Sequence, residues 1–186
     1  LILGDNIFYG HGMVKRLQSC VKRAQIDNIA TVFGYNVKNP GEYGVVEFDD
    51  FNKVLSIEEK PKKPKSNYAV TGLYYYPNEV IEIAKTVKPS DRGELEITSV
   101  NSRFLRKGNL WVEIMGRGYA WLDTGTIESM YAASNFIQAI QNRQGLKIAC
   151  IEEIAFKMGY IDFNALKKLA YSYNNNYGSY LKSIVE

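Results

Sequence analysis

The sequence is poor in the residues that most metal centres and disulfide frameworks require. It has one histidine, His11, and two cysteines, Cys20 and Cys150, among 186 residues. A single histidine argues against a histidine-rich metal site and against a Ser-His-Asp triad. Two cysteines that lie far apart and lack metal-ligand spacing are typical of free, buried thiols in a reducing compartment.

Long hydrophobic runs and blocks of one charge are also missing. No apolar run approaches the roughly 20 residues that span a bilayer, and no signal peptide opens the sequence. The net charge of +3 is spread along the chain, apart from a short basic stretch at residues 60–65. We therefore expect a cytoplasmic protein that binds neither a membrane nor nucleic acid.

The sequence does contain the alternation of strands and helices that is typical of an α/β fold. Leu1–Leu3 is a continuous apolar run, as in a strand buried on both faces. A periodic helix and a second apolar run at residues 29–35 follow it, which predicts a βαβ unit. Residues 43–59 read as a hairpin.

The second half of the chain becomes increasingly helical. A long helix is predicted after Thr126, and its inward face is expected to carry Ile127, Met130, Tyr131 and Ile137. We predict a Rossmann-like, mostly parallel mixed sheet flanked by helices over residues 1–148, and a helical appendage over residues 149–186. Because the chain begins inside the first apolar run, we also expect an N-terminally truncated domain.

Asp5 and Asp123 each follow an apolar run and precede turn residues. Ligands of open α/β sheets bind beyond the carboxyl ends of the strands, so both carboxylates could face one crevice. Two carboxylates with few competing nitrogen ligands suit Mg²⁺. Each aspartate could equally be a cap of the next helix or turn.

Charged residues near two further boundaries suggest a phosphate and sugar site. Lys60 could bind a phosphate and Glu59 could accept hydrogen bonds from sugar hydroxyls, or both could belong to an exposed strand end. Arg92 precedes a predicted helix, a favourable place for an anion, although nearby acids oppose one. Gly44 and Gly72 lie within strands, which indicates either a ligand close to the backbone or a bulge.

These signals occur together in one order along the chain. The stretches are Leu3-Gly4-Asp5-Asn6, Tyr43-Gly44-Val45-Val46, Glu58-Glu59-Lys60-Pro61, residues 67–74, residues 92–98 and Trp121-Leu122-Asp123-Thr124-Gly125. In combination they closely resemble the glucose-1-phosphate thymidylyltransferases of the sugar nucleotidylyltransferase family. That family makes dTDP-glucose for dTDP-rhamnose and bacterial surface sugars such as those of lipopolysaccharide. The resemblance runs from Leu1 to about Tyr180.

The resemblance implies an enzyme of the nucleotide-diphospho-sugar transferase fold that joins glucose-1-phosphate to dTTP and releases pyrophosphate. It implies Mg²⁺ held by Asp5 and Asp123, and catalytic roles for Lys60 and Arg92. It also implies a set of substrate-binding residues: Tyr43, Gly44, Glu59, Lys60, Val70, Tyr74 and Arg92. A homotetramer is usual in the family, and a regulatory nucleotide site would take Tyr9, Gly10, Arg117, Lys147, Glu153 and Ile154.

The resemblance also leaves alternatives open. The family's glycine-rich segment, which cradles the triphosphate, and the residues that read the base are expected upstream of Leu1. A sister enzyme that uses UTP, CTP or ATP therefore remains possible. So does a non-catalytic fragment that only folds and oligomerises, and this stretch alone is expected to be inactive.

Overall fold

The computed structural model describes all residues from Leu1 to Glu186, which form two compact units. The first unit, Leu1–Thr126, contains all the strands and three helices, and the second, Ile127–Glu186, is helical. The strands are β1 (Asn6–Gly10), β2 (Ala30–Asn36), β3 (Gly44–Phe48), β4 (Val54–Glu59), β5 (Tyr68–Tyr75), β6 (Leu110–Met115) and β7 (Tyr119–Asp123). The helices are α1 (Met13–Ile26), α2 (Val80–Lys85), α3 (Ile97–Arg106), α4 (Ile127–Gln144), α5 (Ile151–Lys157), α6 (Phe163–Ser172) and α7 (Asn176–Val185).

The two units meet in sequence just before α4, whereas the boundary predicted between residues 148 and 149 lies after it. The predicted boundary was placed where the alternation of strands and helices gives way to short helices, and it stays a prediction.

A five-stranded mixed sheet in the order β4-β3-β5-β2-β6 forms the centre of the first unit. The predicted α/β class with a mixed sheet flanked by helices is confirmed. The balance of strand directions differs from the prediction, because only β2 and β6 pair in parallel and the other neighbours are antiparallel. The expectation of mostly parallel pairing is therefore wrong for these strands.

The antiparallel pairing has a local cause at the β3–β4 hairpin, which the sequence predicted. One carboxylate oxygen of Asp49 accepts hydrogen bonds from the backbone N–H groups of Phe51 and Lys53, both at 2.9 Å. An aspartate that binds its own following backbone closes a tight turn. A tight turn reverses the chain, so the strands on either side of it can pair only antiparallel.

The core occupies both faces of this sheet because successive side chains of a strand point to opposite sides. On one face, Val32 packs in a cluster with Phe104 of α3. On the other face, its neighbour Phe33 packs in a cluster with Cys20 of α1. Cys20 and Cys150 are both free and buried, as predicted.

A separate two-stranded sheet pairs β1 with β7 antiparallel, with Asn6 opposite Asp123. The predicted βαβ unit is therefore wrong, since the strand before α1 does not join the parallel pair. The expectation of a buried strand at Leu1–Leu3 is also wrong, because these residues are 43–64% exposed and their backbone forms only one isolated β-bridge, from Ile2 to Leu73. Their backbone pairs with β5, for example Leu3 N to Gly72 O at 2.8 Å, without burying the side chains.

The second unit confirms the predicted helical tail. α5, α6 and α7 bury a common core of Cys150, Leu166, Ala170 and Leu181. Two of these helices begin with side-chain caps, because Asp162 accepts from Ala165 N at 2.8 Å and Asn175 accepts from Gly178 N at 3.0 Å. Such caps satisfy backbone N–H groups that a first helical turn leaves without partners.

The inward face predicted for α4 is wrong for three of its four residues, and the fourth, Ile137, is half-buried. Ile127, Met130 and Tyr131 are 79%, 53% and 70% exposed, and the buried residue of this helix is Ala133. Apolar residues lie on several sides of α4, so its sequence does not define one narrow stripe. The spacing of apolar residues therefore could not identify the side that packs.

Candidate functional site

A cavity of about 250 Å³ is lined by the start of β3, the end of β4 and the middle of β5, together with residues of β1 and β7. It brings together every predicted metal and substrate residue except Arg92. The lining residues are Leu3, Asp5, Asn6, Glu42, Tyr43, Gly44, Glu59, Lys60, Val70, Gly72, Tyr74, Ile97, Thr98, Trp121 and Asp123. Residues that are far apart in sequence thus share one concave surface, the usual form of a small-molecule site.

Asp5 and Asp123 meet at this cavity because of the antiparallel ladder between β1 and β7. Asp123 ends β7 opposite Asn6, and Asp5 immediately precedes Asn6. The carbonyl of Asp5 accepts from the backbone N–H of Thr124 at 2.9 Å, which extends the ladder by one more bond. The sequence predicted that the two carboxylates share a crevice, but it assumed two strands that end at the same edge.

One carboxylate oxygen of each aspartate is held by a nitrogen donor. Asp5 Oδ1 accepts from Asn6 Nδ2 at 2.8 Å, and Asp123 Oδ1 accepts from the backbone N–H of Gly125 at 2.7 Å. Hydrogen bonds of this kind fix the orientation of carboxylates that ligate metals. Two oriented carboxylates at one cavity are hard oxygen donors, which suit Mg²⁺ when water and phosphate supply the other positions.

Asn6 and Trp121 are site residues that the sequence reasoning did not single out. Asn6 Oδ1 accepts from Trp121 Nε1 at 2.6 Å and from the backbone N–H of Gly72 at 3.0 Å. The indole of Trp121 also meets the ring of Tyr43 edge-on, with centroids 5.2 Å apart. The position of Asn6 directly after Asp5 was the only local signal for its role.

Glu59 is oriented by α3 across the cavity. Thr98, a buried residue in the first turn of α3, donates its hydroxyl to Glu59 Oε2 at 2.5 Å. Gly44 leaves space for this bond, since a Cβ there would lie 3.2 Å from Thr98 Oγ1 and 3.3 Å from Glu59 Oε2. The predicted close approach at Gly44 is therefore to side chains of the site itself.

Arg92 lies beside the cavity rather than in its lining. Its guanidinium is 2.9 Å from Glu94 Oε2, 3.6 Å from Glu96 Oε1 and 3.8 Å from Glu59 Oε1. The helix α3 begins only at Ile97, so Arg92 is not at the helix N-terminus. Three carboxylates now share this cation, which differs from the open anion site that the sequence suggested.

Lys60 lines the cavity at the end of β4 and makes no ion pair within 4.0 Å. Its backbone has a φ of 39°, in the left-handed region that non-glycine residues seldom adopt, and its N–H donates to Tyr43 O at 3.0 Å. Because the chain turns sharply here, the lysine remains at the mouth of the cavity instead of continuing along the strand.

Two tyrosines of the cavity have phenol groups with a raised pKa. Burial raises the pKa of Tyr74 to about 12, with a further contribution from the negative charge of Glu59. Burial also raises the pKa of Tyr43, and the charges of Asp123 and Glu42 add to the shift. Both phenols are therefore neutral hydrogen-bond donors at physiological pH.

The predicted regulatory residues are divided between the two units. Tyr9 and Gly10 lie in β1, and Arg117 lines a second cavity of the first unit, about 420 Å³ in volume, with Tyr35 and Tyr119. The others lie in the second unit: Lys147, Glu153 and Ile154. Burial opposes the charge of Glu153, but hydrogen bonds from Lys157 and Tyr180 outweigh it and lower its pKa.

No group of three or more histidine, cysteine, aspartate or glutamate side chains is arranged to hold a metal ion. Separately, no helix of the chain combines the length and the apolar character that a membrane crossing requires.

Comparison with known proteins gives this geometry a context. Residues 1–140 match a family model described as nucleotidyl transferase. Glucose-1-phosphate thymidylyltransferases from Xanthomonas campestris pv. campestris strain B100 and from Neisseria meningitidis serogroup A are 54% and 50% identical over 187 residues. Each alignment covers 100% of this chain and 62% or 64% of the relative. The chain therefore spans less than two thirds of the length of these relatives.

Solved structures share the architecture. A Bacillus anthracis protein, provisionally identified as a glucose-1-phosphate thymidylyltransferase and solved with sucrose, has a TM-score of 0.60 and 39% identity. That match covers 73% of this chain and 52% of the other. A UDP-glucose pyrophosphorylase solved with UDP-glucose has a TM-score of 0.63 and 23% identity, covering 73% and 53% of the two chains. The second likeness concerns the fold alone.

Proposed function

This chain belongs to the nucleotidyl transferase family, and we propose that it carries the sugar-phosphate and metal half of a glucose-1-phosphate thymidylyltransferase site. The protein encoded by its gene would join glucose-1-phosphate to dTTP and release pyrophosphate. The identity of 50–54% with curated thymidylyltransferases supports dTTP over UTP, CTP or ATP.

The observation that carries the proposal is the meeting of Asp5, Asp123 and Glu59 in one cavity. Phosphoryl-type chemistry needs charge neutralisation and positioning more than it needs a covalent intermediate. Asp5 and Asp123 would meet the first need by holding a cation. Glu59 would meet the second by binding sugar hydroxyls. Their separate partners support this division of roles, since Thr98 holds Glu59 whereas Asn6 and Gly125 hold the aspartates.

We propose that Asp5 and Asp123 hold Mg²⁺. The donor set fits, because both side chains are hard oxygen ligands and both are already oriented by hydrogen bonds. When bound, the ion would neutralise charge on the phosphates that react. Its remaining coordination positions would go to water and to substrate oxygens.

The substrate would lie across the strands that line the cavity. Glu59 accepts hydrogen bonds from sugar hydroxyls, and the protonated phenols of Tyr43 and Tyr74 are donors to the sugar or its phosphate. The backbone of Gly44 and Val70 supplies further polar groups at the same surface. The sugar-phosphate oxygen would then attack the α-phosphorus of dTTP in line, while pyrophosphate leaves.

We assign charge neutralisation of the sugar phosphate to Lys60 and Arg92. Lys60 is available, since it makes no ion pair at the cavity mouth. Arg92 is 3.8 Å from Glu59, so an incoming phosphate would compete with carboxylates for its guanidinium. Arg92 would therefore both bind the phosphate and couple that event to the orientation of Glu59.

Further proposals concern the whole protein. We propose that it is a cytoplasmic homo-oligomer, a tetramer by the family pattern, that supplies dTDP-glucose to dTDP-rhamnose and lipopolysaccharide synthesis. Arg117, at a cavity of its own, fits the proposed regulatory nucleotide site. Tyr9, Gly10, Lys147, Glu153 and Ile154 stay assigned to that site as a prediction.

The test uses the protein encoded by the gene that contains this chain. We expect pyrophosphate release from dTTP and glucose-1-phosphate that stops on chelation of divalent cations and resumes with Mg²⁺. Asp5→Asn and Asp123→Asn should each lower kcat/KM by about 100-fold or more, because the charge stabilisation by the metal ion would be lost. Asp50→Asn, a change of the same charge on an exposed loop residue, should have no effect. Full activity in either cavity variant would contradict the proposed metal site.

A further inference from the structure

Asn6 is joined to three groups that come from three different parts of the first unit. Its Nδ2 donates to Asp5 Oδ1 at 2.8 Å, and its Oδ1 accepts from Trp121 Nε1 at 2.6 Å and from Gly72 N at 3.0 Å. The bond to Gly72 reaches the central strand β5, and the bond to Trp121 reaches β7. A single amide therefore links Asp5 to both sheets.

The orientation of this amide follows from its neighbours. Trp121 Nε1 and the backbone N–H of Gly72 can only donate hydrogen bonds, so the atom between them must be the amide oxygen. The NH₂ group then faces Asp5, whose carboxylate can only accept when it is ionised. Reversing the amide would lose all three bonds, and the donor side therefore always faces Asp5.

The groups that hold the oxygen are themselves fixed. A Cβ at Gly72 would lie 2.6 Å from Asn6 Oδ1, so glycine is needed there for the amide to reach the β5 backbone. The indole of Trp121 meets the rings of Tyr35 and Tyr43 edge-on, at centroid distances of 5.9 and 5.2 Å. The bonds of Asn6 to both sheets therefore restrict the orientation of the exposed carboxylate of Asp5.

We propose that Asn6 is a positioning residue that fixes the carboxylate of Asp5 for cation binding, with Trp121 acting through Asn6. The inference rests on the proposed metal site of Asp5 and Asp123. It adds that metal affinity depends on an amide that does not touch the metal. Partners that orient metal ligands typically contribute about 10–100-fold in metal affinity.

The test measures Mn²⁺ binding, which does not require turnover. Mn²⁺ alone is titrated into the protein encoded by the gene, and free Mn²⁺ is followed by electron paramagnetic resonance. We expect Asn6→Ala to raise the Mn²⁺ Kd by about 10-fold or more. The matched control is Asn78→Ala, which changes an exposed turn residue outside the cavity lining and should leave the Kd unchanged.

A double-mutant cycle separates positioning from general loosening of the fold. Trp121→Phe keeps an aromatic ring but removes the donor to Asn6, and we expect it to raise the Kd about threefold. In the double variant with Asn6→Ala the Kd should be no higher than in Asn6→Ala alone, because Trp121 acts through the same amide. If Asn6→Ala does not fold, the Trp121→Phe result alone decides, and an unchanged Kd overturns the proposal.

The outcomes distinguish this inference from the proposed function. An unchanged Kd in Asn6→Ala, with Mn²⁺ binding lost in Asp5→Asn, overturns the role of Asn6 and leaves the metal site intact. Additive effects in the double variant also overturn it, since they show independent contributions. If the unaltered protein binds no Mn²⁺, or if Asp5→Asn binds it normally, the metal site itself is overturned.

Discussion

Thr98 donates its hydroxyl to Glu59 at 2.5 Å, which ties the first turn of α3 to the last residue of β4. The two residues are 39 positions apart in sequence. Thr98 is 7% exposed, so the bond is largely removed from competing water. Such a bond to a charged group is stronger than one between neutral groups. It leaves the carboxylate in one orientation toward the cavity.

Replacing Thr98 with valine tests whether this bond prepares Glu59 for the sugar. Valine has nearly the same shape but no hydroxyl, so we expect the KM for glucose-1-phosphate to rise about tenfold with little change in kcat. A tenfold rise in KM corresponds to about 1.4 kcal/mol, which is close to the lower end of the roughly 1.5–3 kcal/mol that a hydrogen bond to a charged group contributes. Thr98→Ser restores the donor and should return the KM close to its original value. Equal KM values in the two variants would show that the Thr98 hydroxyl does not prepare Glu59 for the sugar.

Gly44 provides a second test of the same region from the opposite side. The added Cβ of Gly44→Ala would lie 3.2 Å from Thr98 Oγ1 and 3.3 Å from Glu59 Oε2, so both side chains would have to shift by a few tenths of an ångström. We expect a KM for glucose-1-phosphate that is raised several-fold and is not raised further when Thr98→Val is added. The control is Gly116→Ala, where an added Cβ meets nothing within 4 Å. If steady-state kinetics show that the two substitutions raise the KM independently, so that their effects combine in full in the double variant, Gly44 and Thr98 do not act through the same bond to Glu59.

The second unit contains a buried carboxylate that makes its stability depend on pH. Glu152 is 7% exposed and accepts hydrogen bonds from the hydroxyls of Tyr173, at 3.0 Å, and of Tyr177. Burial disfavours its charge, but the bonds from Tyr177, its own backbone and Tyr173 outweigh burial and lower the pKa of Glu152 below 4.5. A lowered pKa stabilises the folded state above pH 4.5, and that contribution is lost as pH falls toward the folded pKa.

We therefore expect the melting temperature of the second unit's helices, followed by circular dichroism, to fall as pH drops below about 4.5. Glu152→Gln keeps the shape of the side chain but cannot titrate, so its melting temperature should be lower at pH 7 and depend less on acid. The loss at pH 7 should be about 1–2 kcal/mol, because charged acceptors are replaced by neutral ones. An acid profile identical to that of the unaltered protein would show that Glu152 does not control it.

Local patterns predicted most individual elements. Alternating apolar residues and the turn residues around Asp49 were sufficient to predict the β3–β4 hairpin. Apolar residues spaced by three and four positions were sufficient to predict α1 and α3. Periodicity is a local property, and it also identified the packed face of α3, where Val100 and Phe104 are buried. It identified α1 but not its packed face, since Val14 and Val21 are exposed. The spacing fails for α4, where apolar residues on several sides leave the packed face undefined.

Local patterns could not predict the strand pairing or the hydrogen bonds of the site. The pairing of β1 with β7 joins residues whose separation in sequence exceeds 100 positions, as in the bond from Trp121 to Asn6 across 115 positions. Nothing local distinguishes an asparagine that orients an aspartate from one that caps a turn. The sequence therefore predicted the acids and not the residues that hold them.

The most direct measurement compares four nucleoside triphosphates with glucose-1-phosphate as the partner substrate. Pyrophosphate release by the protein encoded by the gene would be followed with dTTP, UTP, CTP and ATP in the presence of Mg²⁺. The proposed function predicts the highest kcat/KM for dTTP, by at least tenfold, and loss of activity in Asp123→Asn. No pyrophosphate release with any triphosphate, or equal kcat/KM for dTTP and UTP, would contradict a thymidylyltransferase.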